Sequence, residues 1–251
     1  MFSDKFSITY PLLSDENSDV IRAFGIENTL VQTNVTDEEK EKFQGIPYPG
    51  TYVVDESGVV IEKFFQRHHA TRPSAGTLVN GALAKIITPE DTPKAGFVEN
   101  GVKIDAFLAD KALYLEYMTT LCVRISLDDG LHIYGEPVPE GYIATTVTIL
   151  ESKGIRPEEP QYPKTTPMRF EALNETLNVY EGVVEITVPI VADVGLLNWN
   201  IMQDKPDTTE LRIEVEYQAC SDTTCFPPQK KIISLDVPLE IHFYKRPDEP
   251  A

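Results

Sequence analysis

From Leu211 to Ala219 the chain alternates without a break. Leu211, Ile213, Val215, Tyr217 and Ala219 share one parity; Arg212, Glu214, Glu216 and Gln218 share the other. A side-chain period of two is a strand with one buried and one wet face, so this segment belongs in a sheet that covers a core. The strand runs straight into Cys220-Ser221-Asp222-Thr223-Thr224-Cys225-Phe226-Pro227-Pro228. Two of only three cysteines therefore flank a four-residue polar loop. A loop that short can bring two Cα atoms within the roughly 4.4–6.8 Å that a disulfide spans. Two readings stand side by side: a clip that closes a loop, or a dithiol that opens and recloses. A clip around so small a ring stabilises little, below roughly 3 kcal/mol on the chain-closure account.

Composition narrows the chemistry. The 251 residues, 41% of them apolar, suffice for one large or two modest domains with proper cores. Lys and Arg number 22 against 40 Asp and Glu, a formal charge of −18. That argues against nucleic acid, whose binders neutralise phosphate with cations, and against an anionic membrane surface. No run approaches the roughly 18 apolar residues of a membrane span. Nor does Met1-Phe2-Ser3-Asp4-Lys5-Phe6 look like a secretory signal. Three cysteines are too few for a disulfide framework, so a close pair points to redox work rather than stapling. A zinc site wants four clustered ligands, and beyond the pair only Cys122, His68, His69, His132 and His242 remain. Adjacent His68 and His69 would point to opposite faces of a strand and cannot jointly grip an ion. No metal and no bound cofactor are expected.

Two textures meet near Thr88-Pro89-Glu90-Asp91-Thr92-Pro93-Lys94. Before it, strands and helices alternate. Tyr52–Asp55 and Val59–Phe65 flank a turn in which Gly58 can supply a positive φ. A short helix over Ser18–Phe24 closes at Gly25, and a longer one is predicted from Pro73 to Ile87. Its apolar face would carry Ala75, Leu78, Val79, Ala82, Leu83 and Ile86. After the link the chain reads as all-β. One long strand covers Leu113–Leu127, and others are predicted at Ile143–Leu150, Leu177–Val191, Leu211–Ala219 and Lys231–Val237. The loop from Ile155 to Met168 holds four prolines, so it is neither a regular helix nor an inner strand.

Tyr217-Gln218-Ala219-Cys220 followed by Cys225-Phe226-Pro227-Pro228, with Asp129-Gly130-Leu131-His132-Ile133-Tyr134 upstream, resembles the N-terminal, immunoglobulin-like domain of the thiol:disulfide interchange protein DsbD. The resemblance covers roughly Val102 to Leu239. In the best-known member the cysteines enclose five residues; here they enclose four. Phe6–Asp15 and Ile46-Pro47-Tyr48-Pro49-Gly50-Thr51-Tyr52-Val53-Val54-Asp55 resemble the C-terminal half of redoxins of the AhpC/TSA, thioredoxin-like superfamily. That family keeps its reactive cysteine in the preceding half, and no cysteine stands here before Cys122. The segment reads as the truncated or eroded remainder of a longer redoxin fusion, with an unpaired edge and an unburied apolar face.

Together these resemblances imply a mixed fold. A partial α/β thioredoxin-like segment (1–92) precedes an all-β immunoglobulin-like sandwich (93–251). They imply thiol–disulfide exchange in which Cys225 bonds to the partner and Cys220 resolves. Partners would be thioredoxin-like redox proteins, a membrane protein among the candidates. The family's usual setting is the bacterial periplasm. His132 and Tyr134 share parity and would stand beside the dithiol as hydrogen-bond partners, or else simply pack. Asp222 would disfavour a thiolate. Tyr162, in the four-proline loop, would cap the cysteines, and Cys122 reads as a bystander thiol. Two other readings stay open: an interaction module with a permanent disulfide, and a peroxidase whose partner chain supplies the missing redoxin half.

Overall fold

The computed structural model describes residues 2–5, 7–29, 36–38, 45–65, 71–83, 85–88, 90–170, 174–196, 207–221 and 223–240. Asp222, His68, His69, His242 and the tail from Lys245 lie outside them. The chain divides into two compact units, Met1–Tyr52 with Lys63–His69 and Val53–Glu62 with Ala70–Ala251.

The first unit holds the short helices α1 (Phe2–Lys5) and α2 (Asp19–Ala23). As expected from the sequence, α2 ends beside Gly25, at φ +65°. Tyr52 anchors the unit, packing its ring on Phe24 at 5.5 Å and on Phe65 at 4.9 Å. Leu13, Val20 and Phe24 are left exposed. Strands β1 (Gly50–Val54) and β2 (Val60–Phe65) form a two-stranded sheet. Asp55 shapes the turn between them, its carboxylate accepting from the backbone N–H of Ser57 and of Val59.

The second unit is the sandwich. In chain order its strands are β3 (Arg72–Pro73), β4 (Lys94–Glu99), β5 (Val102–Leu108), β6 (Leu113–Tyr114), β7 (Tyr117–Leu127) and β8 (His132–Tyr134). There follow β9 (Thr146–Ile149), β10 (Ile155–Pro157), β11 (Thr166–Phe170), β12 (Glu175–Glu181) and β13 (Val183–Ala192). The series ends with β14 (Thr208–Tyr217), β15 (Ala219–Cys220) and β16 (Gln229–Glu240). One sheet runs β10-β13-β7-β5-β4, with β3 joining β7; a second runs β6-β16-β14-β9; a third, smaller one runs β11-β12-β8-β15. The core draws mainly on the first two, and Ile133, Tyr180 and Ala219 join it from the third. It includes Leu121, Val123 and Ile125 from β7, Ile186 and Ile190 from β13, and Leu211, Ile213, Val215 and Tyr217 from β14. Burying each such aliphatic side chain contributes about 1.5–3 kcal/mol.

Two predicted long strands are each broken in two. Leu113–Leu127 divides at Leu115-Glu116, where Glu116 takes φ +63°. Leu113–Tyr114 then pairs with β16 and Tyr117–Leu127 with β13 and β5, so the kink carries the chain from one sheet to another. Leu177–Val191 divides at Gly182, whose φ of +63° is open to glycine at no steric cost. Its first half enters the small sheet and its second the large one. Prolines kept the 155–168 loop out of the sheet interiors, since β10 and β11 are both terminal strands.

The helix predicted from Pro73 to Ile87 is shorter, α3 (Ala75–Leu83), and Pro73 lies in β3 instead. Its buried contact is not the apolar stripe: Val79 and Leu83 are exposed, and the buried helical residue is Thr77. A polar clamp explains the inversion. Ser74 caps the helix, its Oγ accepting from the Thr77 N–H and donating to Asp110 Oδ2 at 2.5 Å. Asp110 Oδ1 also accepts from the Gly76 N–H at 3.0 Å, placing a carboxylate at the helix N-terminus. A Cβ on Gly76 would stand 2.3 Å from the Ala109 carbonyl oxygen, so only glycine lets the helix come this close.

Candidate functional site

The small sheet positions the cysteines. Alternation along β14 lapses at Gln218, and the chain resumes as β15, where Cys220 pairs with His132 and Ala219 with Ile133. The loop then folds back: Ser221 N–H donates to the Thr224 carbonyl, and Phe226 N–H to the Ala219 carbonyl. Cys220 and Cys225 are joined by a disulfide with their Cα atoms 4.0 Å apart, a little closer than the span usual for such bridges. The two sulfurs differ in setting. Cys220 is 1% exposed, whereas Cys225 lies on the exposed side of the loop.

Tyr134 reaches both. Its hydroxyl donates to Cys220 Sγ at 3.2 Å and lies 3.7 Å from Cys225 Sγ. Burial, with Tyr142 nearby, raises the Tyr134 phenol above its ordinary range, so it stays a donor well past neutral pH. His132 stands directly opposite Cys220 in the sheet and meets the Tyr134 ring at 5.6 Å. The shared parity read from the sequence thus holds in space. Cys220 and Tyr134 form a small apolar cluster with Leu177 and Val179, and Val138, Tyr142, Met168 and Phe170 pack against it.

Those last four were missed in the sequence. Met168 and Phe170 carry a readable signal, because they alternate on β11 and Met168 pairs with Leu177. Tyr142 carries none, lying in an irregular loop after Gly141. It meets the Tyr134 ring at 5.1 Å and donates its hydroxyl to Glu175 Oε2 at 2.9 Å, and that bond raises its own phenol pKa.

Other expected residues stand elsewhere. Tyr162 lines a cleft of about 430 Å³ with Glu136, Thr145, Lys164 and Tyr180. Its hydroxyl accepts from the Val147 N–H at 3.1 Å, covering β9 at the end of its sheet. Cys122 is fully buried, and burial pushes its thiol up to about 12, an unreactive group at neutral pH. Among the described residues no group of three or more His, Cys, Asp or Glu could hold a metal ion, and no helix is long and apolar enough to cross a membrane.

The sequence model of the family described as thiol:disulfide interchange protein DsbD, N-terminal, matches residues 106–237, just over half of the chain. That of the AhpC/TSA family matches residues 1–63. Similar solved structures include the N-terminal periplasmic domain of ScsB from Proteus mirabilis, at 14% identity over 60% of this chain with a TM-score of 0.38. Another is the Neisseria meningitidis DsbD n-terminal domain in the reduced form, at 15% identity over 61% of this chain and 90% of that one, with a TM-score of 0.31. This chain covers 49% of the ScsB domain's length. No curated protein matches. The matched segment encloses both the disulfide and Tyr134, and the chain belongs to the family of the DsbD N-terminal domain.

Proposed function

We propose that this chain is a thiol–disulfide exchange module, an electron shuttle working through Cys220 and Cys225 with thioredoxin-like partners. The observation that carries this reading is the unequal exposure of the two bonded cysteines. A partner thiolate can reach Cys225, while Cys220 sits behind it at 1% exposure. Attack at Cys225 Sγ forms a mixed disulfide, and the electron pair of the broken bond leaves on Cys220 Sγ. The partner's second thiol then closes the partner's own disulfide and releases Cys225. The pair has gained two electrons and, at neutral pH, two protons.

In this reading Tyr134 is catalytic, because its hydroxyl touches the departing sulfur. A hydrogen bond to a thiolate is stronger than one to a disulfide sulfur, so it favours the opening step. His132 supports the Tyr134 ring. The sandwich carries the chemistry, and the redoxin-like segment matched over residues 1–63 contains no cysteine.

Equilibration against glutathione and dithiothreitol buffers tests the proposal. A midpoint within the roughly −120 to −270 mV of exchange proteins supports it, and one below roughly −300 mV marks a permanent clip. The interaction-module reading would then take its place.

A further inference from the structure

Four rings stand in a row on the disulfide sheet. Tyr142, Tyr134, His132 and Phe170 have successive centroids 5.1, 5.6 and 5.1 Å apart. Of these Tyr134 reaches sulfur, and its aim depends on the ring as a whole. A phenol oxygen lies on the axis about which its ring flips, so flipping does not move it; only a swing of the whole side chain does. A 3.2 Å contact to sulfur weakens quickly under such a swing. What stands against the ring therefore sets the hydrogen bond.

Tyr142 stands there, its plane at 76° to that of Tyr134. It is itself tied down. Glu175, which accepts its hydroxyl at 2.9 Å, opens β12, and β12 pairs Val179 with Tyr134. The bond joins residues 33 apart in sequence and fastens the loop after β8 to the strand beside β8. Tyr134 is thus held by strand pairing from one side and by a fastened ring from another.

We propose that Tyr142 and Glu175 are positioning residues for the exchange reaction: Glu175 holds Tyr142, and Tyr142 keeps the Tyr134 hydroxyl aimed at Cys220 Sγ. This deepens, and rests on, the assignment of Cys220–Cys225 as an exchange pair. When a dithiol's thiolate bonds to Cys225 Sγ, the Cys225–Cys220 bond breaks and its electron pair passes to Cys220 Sγ. The hydrogen bond that meets this charge is then already in place, with no reorganisation at the moment of reaction. The dithiol is oxidised and the protein reduced.

The test is the rate at which dithiothreitol opens the disulfide in the full chain, with Tyr134→Phe, Tyr142→Phe, Glu175→Gln and the double variant Tyr134→Phe/Tyr142→Phe. Tyr134→Phe should slow opening by about threefold to tenfold, the worth of one hydrogen bond. Tyr142→Phe keeps the ring and should slow it by a smaller factor, with Glu175→Gln between that and wild type. The decisive measurement is the double variant, which should be no slower than Tyr134→Phe alone. If Tyr142→Phe slows opening equally in both backgrounds, or not at all in the wild-type one, the proposal is overturned. A parallel assay with a thioredoxin-like protein separates the two ideas. Loss of protein-to-protein exchange with the dithiothreitol pattern intact sinks the shuttle assignment and leaves the positioning role standing.

Discussion

The hydroxyl of Tyr134 donates to the sulfur of Cys220 across 3.2 Å, so β8 and β15 are joined by side chains as well as by backbone pairing. One strand therefore fixes both the cysteine's register and the donor that faces it.

The first expectation concerns the two cysteines separately. Cys220→Ala should accumulate a mixed disulfide on Cys225 when offered an oxidised thioredoxin-like partner, and Cys225→Ala should form none. Mass spectrometry of the intact complexes decides, and equal trapping by both variants would reverse the assignment. In Cys225→Ala, the buried Cys220 should also alkylate slowly under native conditions.

Alkaline pH should destabilise the fold through two buried groups. Burial raises the Cys122 thiol from 9.0 to about 12 and the Tyr217 phenol from 10.0 to about 12. A folded value above the unfolded one means that stability is whole below the unfolded pKa. It then falls as pH climbs through the window between the two values, because the unfolded chain has already lost its proton. Melting temperature should therefore drop from about pH 9 upward, and Cys122→Ala should make that slope shallower. A flat profile to pH 11 would contradict the burial of both groups.

Removing the cap at Ser74 should loosen α3. Ser74→Ala strips the donor to Asp110 and the acceptor for Thr77, at a cost of about 0.5–2 kcal/mol. The urea midpoint of the full chain should fall accordingly. No change would mean that the helix contributes nothing to the sandwich.

Tyr162 offers a choice between two roles. If it serves β9, Tyr162→Ala should leave the alkylation rate of reduced Cys225 unchanged and lower stability, since the Val147 N–H loses its acceptor. A marked acceleration of alkylation would instead assign it the shielding role expected from its place in the proline loop.

Much of this was legible in the residue pattern, and what was hidden has a common cause. Alternation located β14 with its buried Leu211, Ile213, Val215 and Tyr217, and parity put His132 and Tyr134 on one face. Periodicity reports only which face of an element is buried; it is silent on which sheet receives the element. For that reason the break at Glu116 was invisible, since the apolar odd positions run on through it. At Gly182 the buried parity instead shifts, from Leu177 and Val179 to Val184, Ile186 and Val188, a change that one unbroken strand does not make. Hydrophobic spacing misled at α3, where a serine, an aspartate and a glycine make the contact that the apolar stripe was expected to make. Tyr142 and Glu175 meet from separate loop and strand segments, and only tertiary structure brings them together.

The clamp at Ser74 and Asp110 bears on where this polypeptide can be cut. A fragment begun at residue 93 would discard the partner of Tyr117 and Met118 in β3 and leave the Asp110 carboxylate without its hydroxyl and amide donors. A fragment begun just before Thr71 keeps them all. The stretch that looks, letter by letter, like the close of one module is the opening of the next.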